Sequence, residues 1–280
     1  RLLGGSLAEI TRAKVAAARD GDHVVLGRLA PEAATAADQV LGERTGLSVW
    51  RMDREIRYTA RTVGCDDDGS VTTSVDVSTP RAVHRDLPCP LSGTHQHHNL
   101  ALAVAAMDAT VERGHIREPD EERLRARLSA TRWPGRLEHV PHARLDDWTG
   151  RVLLDGATNP QGVTTVAPEM QRHARADDRS GPPVLVFAAM DDKDVSGMLA
   201  PLPSHWPLIL TRTDAPRAAS CADLHDRLSP GRQGPCLTAP DTTAALRRAA
   251  ELAGPGGLII VFGSHRLVGE SRTALSLEPM

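Results

Sequence analysis

The stretch Arg136–Gln161, RLEHVPHARLDDWTGRVLLDGATNPQ, holds the residue types and spacing with the clearest chemical potential. Arg151–Leu154 is a short apolar run, Asp155-Gly156 ends it, and Asn159-Pro160 opens a helix. A strand, a tight glycine turn and a helix N-terminus form a place where an anion or a ribose can be held, because free backbone N–H groups and the helix dipole meet there. Just upstream, Trp133-Pro134-Gly135-Arg136 is a breaker-rich linker carrying one arginine. An ordinary βα turn after a linker is the plain alternative.

Lysine usage is the second chemical signal. Of 33 basic residues only Lys14 and Lys193 are lysines. A lysine amine can be neutral or modified, whereas arginine stays charged. In so arginine-rich a chain each lysine marks a position that arginine would not serve, with drift as the alternative. His95, His97 and His98 crowd one helix start, but no carboxylate or cysteine lies near them in sequence, so polar contacts are expected there rather than metal ligation. Asp66-Asp67-Asp68-Gly69 lacks the ligand pattern and closing glutamate of an EF-hand loop and reads as an acidic turn.

The elements that must position these residues follow from periodicity and breakers. Ser6–Arg19 reads as a helix with Ser6 as N-cap, His23–Leu26 as a buried strand, and Pro31–Leu41 as a helix with proline in its first turn. Ser48–Leu87 mixes polar and β-branched residues, with Asp68-Gly69 as a hairpin signal, and predicts small antiparallel strands. Thr94–Arg113 is a helix with a Leu100, Val104, Met107, Val111 stripe closed by Gly114; Pro119–Ala130 is another.

Beyond the linker, strands at Val152–Leu154, Val184–Phe187, Leu208–Thr211 and Leu258–Phe262 alternate with helices at Pro160–Ala174, Val195–Leu202, Ser220–Leu228 and Thr242–Ala253. Pro168 predicts a kink or break in the first of these helices. Continuous apolar strands between amphipathic helices predict an α/β fold with a mostly parallel sheet covered on both faces. Ligands of such sheets sit at the strands' carboxyl ends. The turns there are Asp155–Pro160, Met190–Asp194, Thr211–Arg217 and Gly263–His265. Asp155, Lys193 and Ser264 are therefore expected at one end of the sheet.

Composition bounds the function classes. The chain has 280 residues, 40% apolar and 25% charged, enough for one large or two ordinary globular domains. A net charge of −3 gives no basic field for nucleic acid, and 2% aromatics leaves few stacking platforms. No apolar run reaches the length of a membrane span. Four cysteines, Cys65, Cys89, Cys221 and Cys236, form no C-x-x-C, so reduced thiols and a cytoplasmic location are expected. No G-x-x-x-x-G-K-[ST], no G-x-G-x-x-G opening a helix, and no G-x-S-x-G occurs. The chain begins at Arg1 rather than a methionine and reads as a fragment.

Taken in order, seven short motifs resemble those of the folylpolyglutamate synthase/dihydrofolate synthase family of Mur-ligase-like amide-bond ligases. Leu3-Gly4, Ile10 and Lys14 resemble L-G-x-x-x-x-x-I-x-x-E-K-A-G-I, with Ala13 for the glutamate and Val15-Ala16-Ala17 for the segment after the lysine. His95-Gln96 with Asn99 resembles H-Q-x-x-N. Pro134-Gly135-Arg136-Leu137-Glu138 matches P-G-R-x-E, and Asp155–Pro160 matches D-G-A-H-N-P with Thr158 for histidine. Asp192-Lys193-Asp194, Pro216-Arg217-Ala218 and Gly263-Ser264 complete the series.

The resemblance implies a remnant of a Mur-ligase-like ATPase domain over 1–132, without its P-loop, followed by a Rossmann-like glutamate-ligase domain over 133–280. It implies a reaction in which ATP with Mg2+ phosphorylates a pterin substrate's carboxylate and L-glutamate then attacks the acyl phosphate. Dihydropteroate and tetrahydrofolate are both candidate acceptors, and a monomer is expected. Arg136, Asp155 and Asn159 would hold the nucleotide. Thr158 and Lys193 would act near the incoming amino acid, with Ser264 binding substrate. Lys14 matches the family's carbamylated lysine, an oxygen donor to magnesium that arginine cannot become. Thr158 cannot carry an imidazole's proton charge. Without the P-loop, this chain alone is expected neither to hydrolyse ATP nor to form the amide. The alternatives are a non-catalytic nucleotide- or partner-binding remnant and a Mur-type peptidoglycan-precursor ligase.

Overall fold

The computed structural model describes residues 4–65, 71–175 and 181–278. The chain divides into two compact units. The first comprises Arg1–Val63, Thr72–Pro90 and Thr94–Ala130; the second comprises Thr131–Met280 with Gly64–Val71 and Leu91–Gly93. Among the described residues no helix is long and apolar enough to cross a membrane.

In the first unit, α1 (Leu7–Val15) starts at a capping box. The Ser6 hydroxyl accepts from Glu9 N–H, and the Glu9 carboxylate accepts from Ser6 N–H. The helix expected to reach Arg19 ends at Val15, because Ala17 and Ala18 N–H bond three residues back in a tightened turn ahead of Gly21, at φ 76°. β1 (His23–Leu26), α2 (Pro31–Gly42) and β2 (Ser48–Arg51) form a parallel crossover, with α2 burying Ala33, Ala36, Ala37 and Leu41. Ser48–Arg51 is thus parallel to β1 rather than part of an antiparallel set. A helix between two strands lets the second return in the same direction, as a hairpin cannot. β1 is half-buried, not buried, since among the described residues its sheet has only these two strands.

β3 (Arg57–Cys65), β4 (Val71–Ser78) and β5 (Val83–Cys89) make a three-stranded sheet in that order, with β4 and β5 antiparallel. The expected acidic turn and hairpin signal at 66–69 lie outside the described residues. α3 (Thr94–Glu112) buries Leu100, Ala101, Val104, Ala105, Asp108 and Ala109, while Met107 and Val111 of the expected stripe are half-buried. The buried face is rotated toward alanines, and Asp108 enters it because Thr79 Oγ1 donates at 2.6 Å and His84 Nε2 lies at 3.0 Å. α4 (Glu121–Ser129) begins two residues later than Pro119, because the Asp120 carboxylate caps Arg123 N–H at 3.0 Å.

The second unit is built on a six-stranded sheet. Its strands are β6 (Glu138–Leu145), β7 (Trp148–Asp155), β8 (Val184–Phe187), β9 (Leu208–Leu210), β10 (Cys236–Thr238) and β11 (Leu258–Phe262), in spatial order β10-β9-β8-β11-β7-β6. All neighbours are parallel except the β6–β7 hairpin. Strand alternation sends Leu153, Leu185, Leu208 and Ile260 to one face and Val152, Val186, Ile209 and Val261 to the other. The first face is covered by α5 (Pro160–Arg175), α6 (Val195–Leu199) and α7 (Cys221–Asp226); the second by α8 (Thr242–Ala253) and α9 (His265–Ala274).

Three elements of this unit escape the periodicity. β6 shows no clean apolar run because it is an edge strand with one half-solvated face, β10 is three residues long, and α9 follows a strand with only a Gly-Ser break. Of the predicted kink or break at Pro168, a break does not occur: α5 runs unbroken through it. Its amphipathic face, with Val163, Val166, Ala167 and Met170 in the core, outweighs the one lost backbone hydrogen bond.

Candidate functional site

The register of the sheet sets the site. Asp155, Phe262, Phe187 and Leu210 lie abreast at the carboxyl ends of β7, β11, β8 and β9. The turns that follow, carrying Asp155–Asn159, Ser264, Lys193 and Arg217, therefore emerge at one end of the sheet. The sequence expectation for Asp155, Lys193 and Ser264 holds.

Asp155 is 2% exposed and works as a backbone clamp. Its carboxylate accepts from Leu137 N–H at 2.9 Å and from Ala157 N–H at 2.8 Å, while Gly156 N–H donates to the Gly135 carbonyl at 2.8 Å. These bonds tie the linker Gly135-Arg136-Leu137 to the turn after β7. They hold Leu137 at φ 47°, a left-handed conformation uncommon for leucine. Glu138 closes the same loop by accepting from Gly135 N–H at 2.8 Å and pairing with the buried Arg272. The result fixes Arg136, which is half-buried and makes no ion pair with a described residue.

Two longer helices begin here. Asn159 caps α5 by accepting from Gly162 N–H at 2.7 Å, and Ser264, 3% exposed, caps α9 by accepting from Arg266 N–H at 3.2 Å. Their N-termini, with the half-buried Arg136, suit an anionic ligand. Gly263 makes this turn possible: at φ 106°, a Cβ there would lie 2.5 Å from the Ala188 carbonyl oxygen. Thr158 is half-buried and Asn159 exposed.

Lys193 is half-buried beside Asp192, with Nζ 3.6 Å from its carboxylate. The turn around it is braced by the Thr211–Arg217 turn: Asp191 N–H donates to the Arg217 carbonyl at 2.9 Å, and the Arg217 guanidinium donates to Asp191 at 3.0 Å. Asp194 starts α6 by accepting from Gly197 N–H at 2.8 Å.

His265 is the site residue that sequence reasoning missed. A Cβ on Gly156 would lie 2.3 Å from His265 Nδ1 and 3.3 Å from an Arg136 Nη, so the imidazole and the guanidinium both close over Gly156. Burial, and next the Arg136 charge, pull the His265 pKa below its usual value, with Asp155 opposing. The imidazole is accordingly neutral near pH 7. The sequence placed its turn, Gly263–His265, at the sheet end, but not its ring over Gly156.

Lys14 belongs to the other unit. It is exposed on α1, a helix with no buried residue. Among the described residues no group of three His, Cys, Asp or Glu could hold a metal ion. The described residues therefore do not by themselves fit a magnesium centre.

Alongside this anion-suited turn cluster at the end of such a sheet, residues 135–265, within the second unit, match the family Mur ligase, glutamate ligase domain. The chain as a whole is similar to dihydrofolate synthases/folylpolyglutamate synthases. It is 28% identical over 303 residues to the dihydrofolate synthase/folylpolyglutamate synthase of Mycobacterium tuberculosis, covering 99% of this chain and 58% of that protein. It is 25% identical over 275 residues to the enzyme of the same name from Bacillus subtilis, covering 98% and 59%. Mycobacterium tuberculosis folylpolyglutamate synthase complexed with ADP superposes with a TM-score of 0.76 at 27% identity, over 99% of this chain and 61% of that one. Escherichia coli FolC in complex with DHPP and ADP shares the fold, with a TM-score of 0.74 at 21% identity over 98% and 58%. The chain thus spans somewhat over half the length of these relatives.

Proposed function

We propose that this chain is the carboxyl-terminal part of an ATP-dependent amide ligase that adds L-glutamate to dihydropteroate or a folate. The observation that carries the reading is the arrival of Asp155, Lys193 and Ser264 at the ends of three adjacent parallel strands, in the family's motif order. On this reading residues 1–132 are the end of the ATPase domain and 133–280 the glutamate-ligase domain. Bound ATP supplies the phosphoryl group that turns the acceptor carboxylate into an acyl phosphate.

The chain's own residues bind and position. Arg136 meets an anionic part of the nucleotide, its guanidinium forming no ion pair with a described residue. Asp155 acts through the backbone, holding Arg136 and Gly156 in place. The N-terminus of α5 at Asn159 offers N–H groups beside it. Lys193 and the Ser264 hydroxyl orient the incoming amino acid's carboxylates, and the Thr158 hydroxyl donates a hydrogen bond where an imidazole is usual. Such fixed charges and donors act on developing charge without reorganisation. Lys14 is proposed as a carbamate oxygen donor.

The test uses the protein made from the complete natural reading frame. ADP release should require ATP, L-glutamate and either dihydropteroate or tetrahydrofolate, and Lys193→Met should lower it by about 100-fold, a loss typical of removing one transition-state contact. Lys14→Ala should depress the rate, with partial rescue by a short carboxylic acid. Acceptor-independent ATP turnover, or none with either acceptor, would reject the ligase reading.

A further inference from the structure

A cavity lies away from these turns. It has a volume of about 190 Å³ and sits between α6 and the loop joining α7 to β10. Arg232 and the hydroxyl-bearing Ser196, Ser204 and Ser229 line it, with Leu199 and Leu228 supplying apolar walls. Ser204 precedes β9 and Arg232 precedes β10, so these two lie at the amino ends of the strands, opposite Asp155 and Ser264. The Ser204 carbonyl fixes the Arg232 loop by accepting from Gln233 N–H at 3.1 Å and Gly234 N–H at 2.9 Å.

Arg232 is the unusual group. Its guanidinium is half-buried and donates to the Trp206 carbonyl, while its Nε is buried with no acceptor. Among the described residues no carboxylate pairs with it; the neighbouring ionisable group is the Cys236 thiol. Burial without an anion pulls its pKa down. A cation removed from water without a counter-charge is unfavourable, and a planar guanidinium matches a carboxylate or phosphate. Ser196 and Ser229 hydroxyls stand 2.5 Å apart at the cavity wall, able to turn toward a ligand oxygen.

We propose that this cavity binds a small oxyanion, a carboxylate or a phosphate, carried on a compact aliphatic body. The volume is below the roughly 300–1,000 Å³ of sites for drug-sized ligands, which restricts the ligand to a few heavy atoms beyond the anion. Leu199 and Leu228 receive the aliphatic part, and Arg232 with the serines receives the charge.

The experiment is an amide NMR titration of the 280-residue chain with isovalerate and, separately, inorganic phosphate. Saturable shifts at Ser196, Ser204, Ser229 and Arg232, with a Kd on the order of millimolar, support the site. Saturation by isovalerate assigns a carboxylate ligand, and saturation by phosphate alone assigns a phosphate ester. Arg232→Gln should weaken binding at least about tenfold, the loss of one charge-assisted bond. Ala200→Phe, on the exposed rim, should fill the cavity and abolish binding while leaving the melting temperature unchanged. Absence of saturable shifts with both probes, or parent-like binding by both variants, would overturn the proposal.

Discussion

Replacing Asp155 tests whether one buried carboxylate holds the site together. It is 2% exposed and accepts from two backbone N–H groups, Leu137 at 2.9 Å and Ala157 at 2.8 Å. Each buried donor left without a partner costs about 1–3 kcal/mol. Asp155→Ala strands both and also frees Leu137 from its left-handed φ of 47°, giving an expected loss of about 4 kcal/mol. Asp155→Asn keeps one acceptor and turns an NH2 group toward the second N–H, for an expected loss of about 2 kcal/mol. With a urea m-value of about 2 kcal/mol per molar, these become midpoint shifts of about 2 M and 1 M. Tryptophan fluorescence reads the transition, since Trp148 and Trp206 are in the second unit and Trp50 is in the first. An Asp155→Asn midpoint within about 0.2 M of the parent would refute the clamp. It would leave Arg136 positioned by something else.

Other outcomes follow from the same geometry. Gly263→Ala forces a side chain onto φ 106° and a Cβ to 2.5 Å from the Ala188 oxygen, and should cost about 3 kcal/mol. A thermal melt unchanged by this variant would show that the turn relaxes. The His265 imidazole should titrate below 6.5 by NMR, and Arg136→Gln should raise its midpoint by removing a neighbouring cation. Because the folded pKa is depressed, the unfolded state binds the proton more readily. The stability linked to His265 is therefore present above about pH 6.5 and lost as pH falls through that value toward the folded pKa. A titration midpoint at or above 6.5 in the parent chain would contradict the packing over Gly156.

Most of the second unit was written in the sequence. Val184–Phe187 and Leu258–Phe262 are unbroken apolar runs, buried on both faces, and a run of that kind admits few readings. Asp155, Lys193 and Ser264 were placed correctly because parallel strands put all following turns at one end. The helix starts at Ser6 and Asn159 were equally local, each a short side chain reaching an N–H three residues on. What the sequence left open depended on partners distant along the chain. β6 became a strand through pairing with β7, β2 became parallel because α2 intervenes, and Asp108 could be buried once Thr79 and His84 reached it. His265 shows the limit most directly. Nothing in its local sequence signals that its ring closes over Gly156 beside Arg136, because that contact joins residues more than a hundred positions apart. Only the packing of β11 against β7 brings them together.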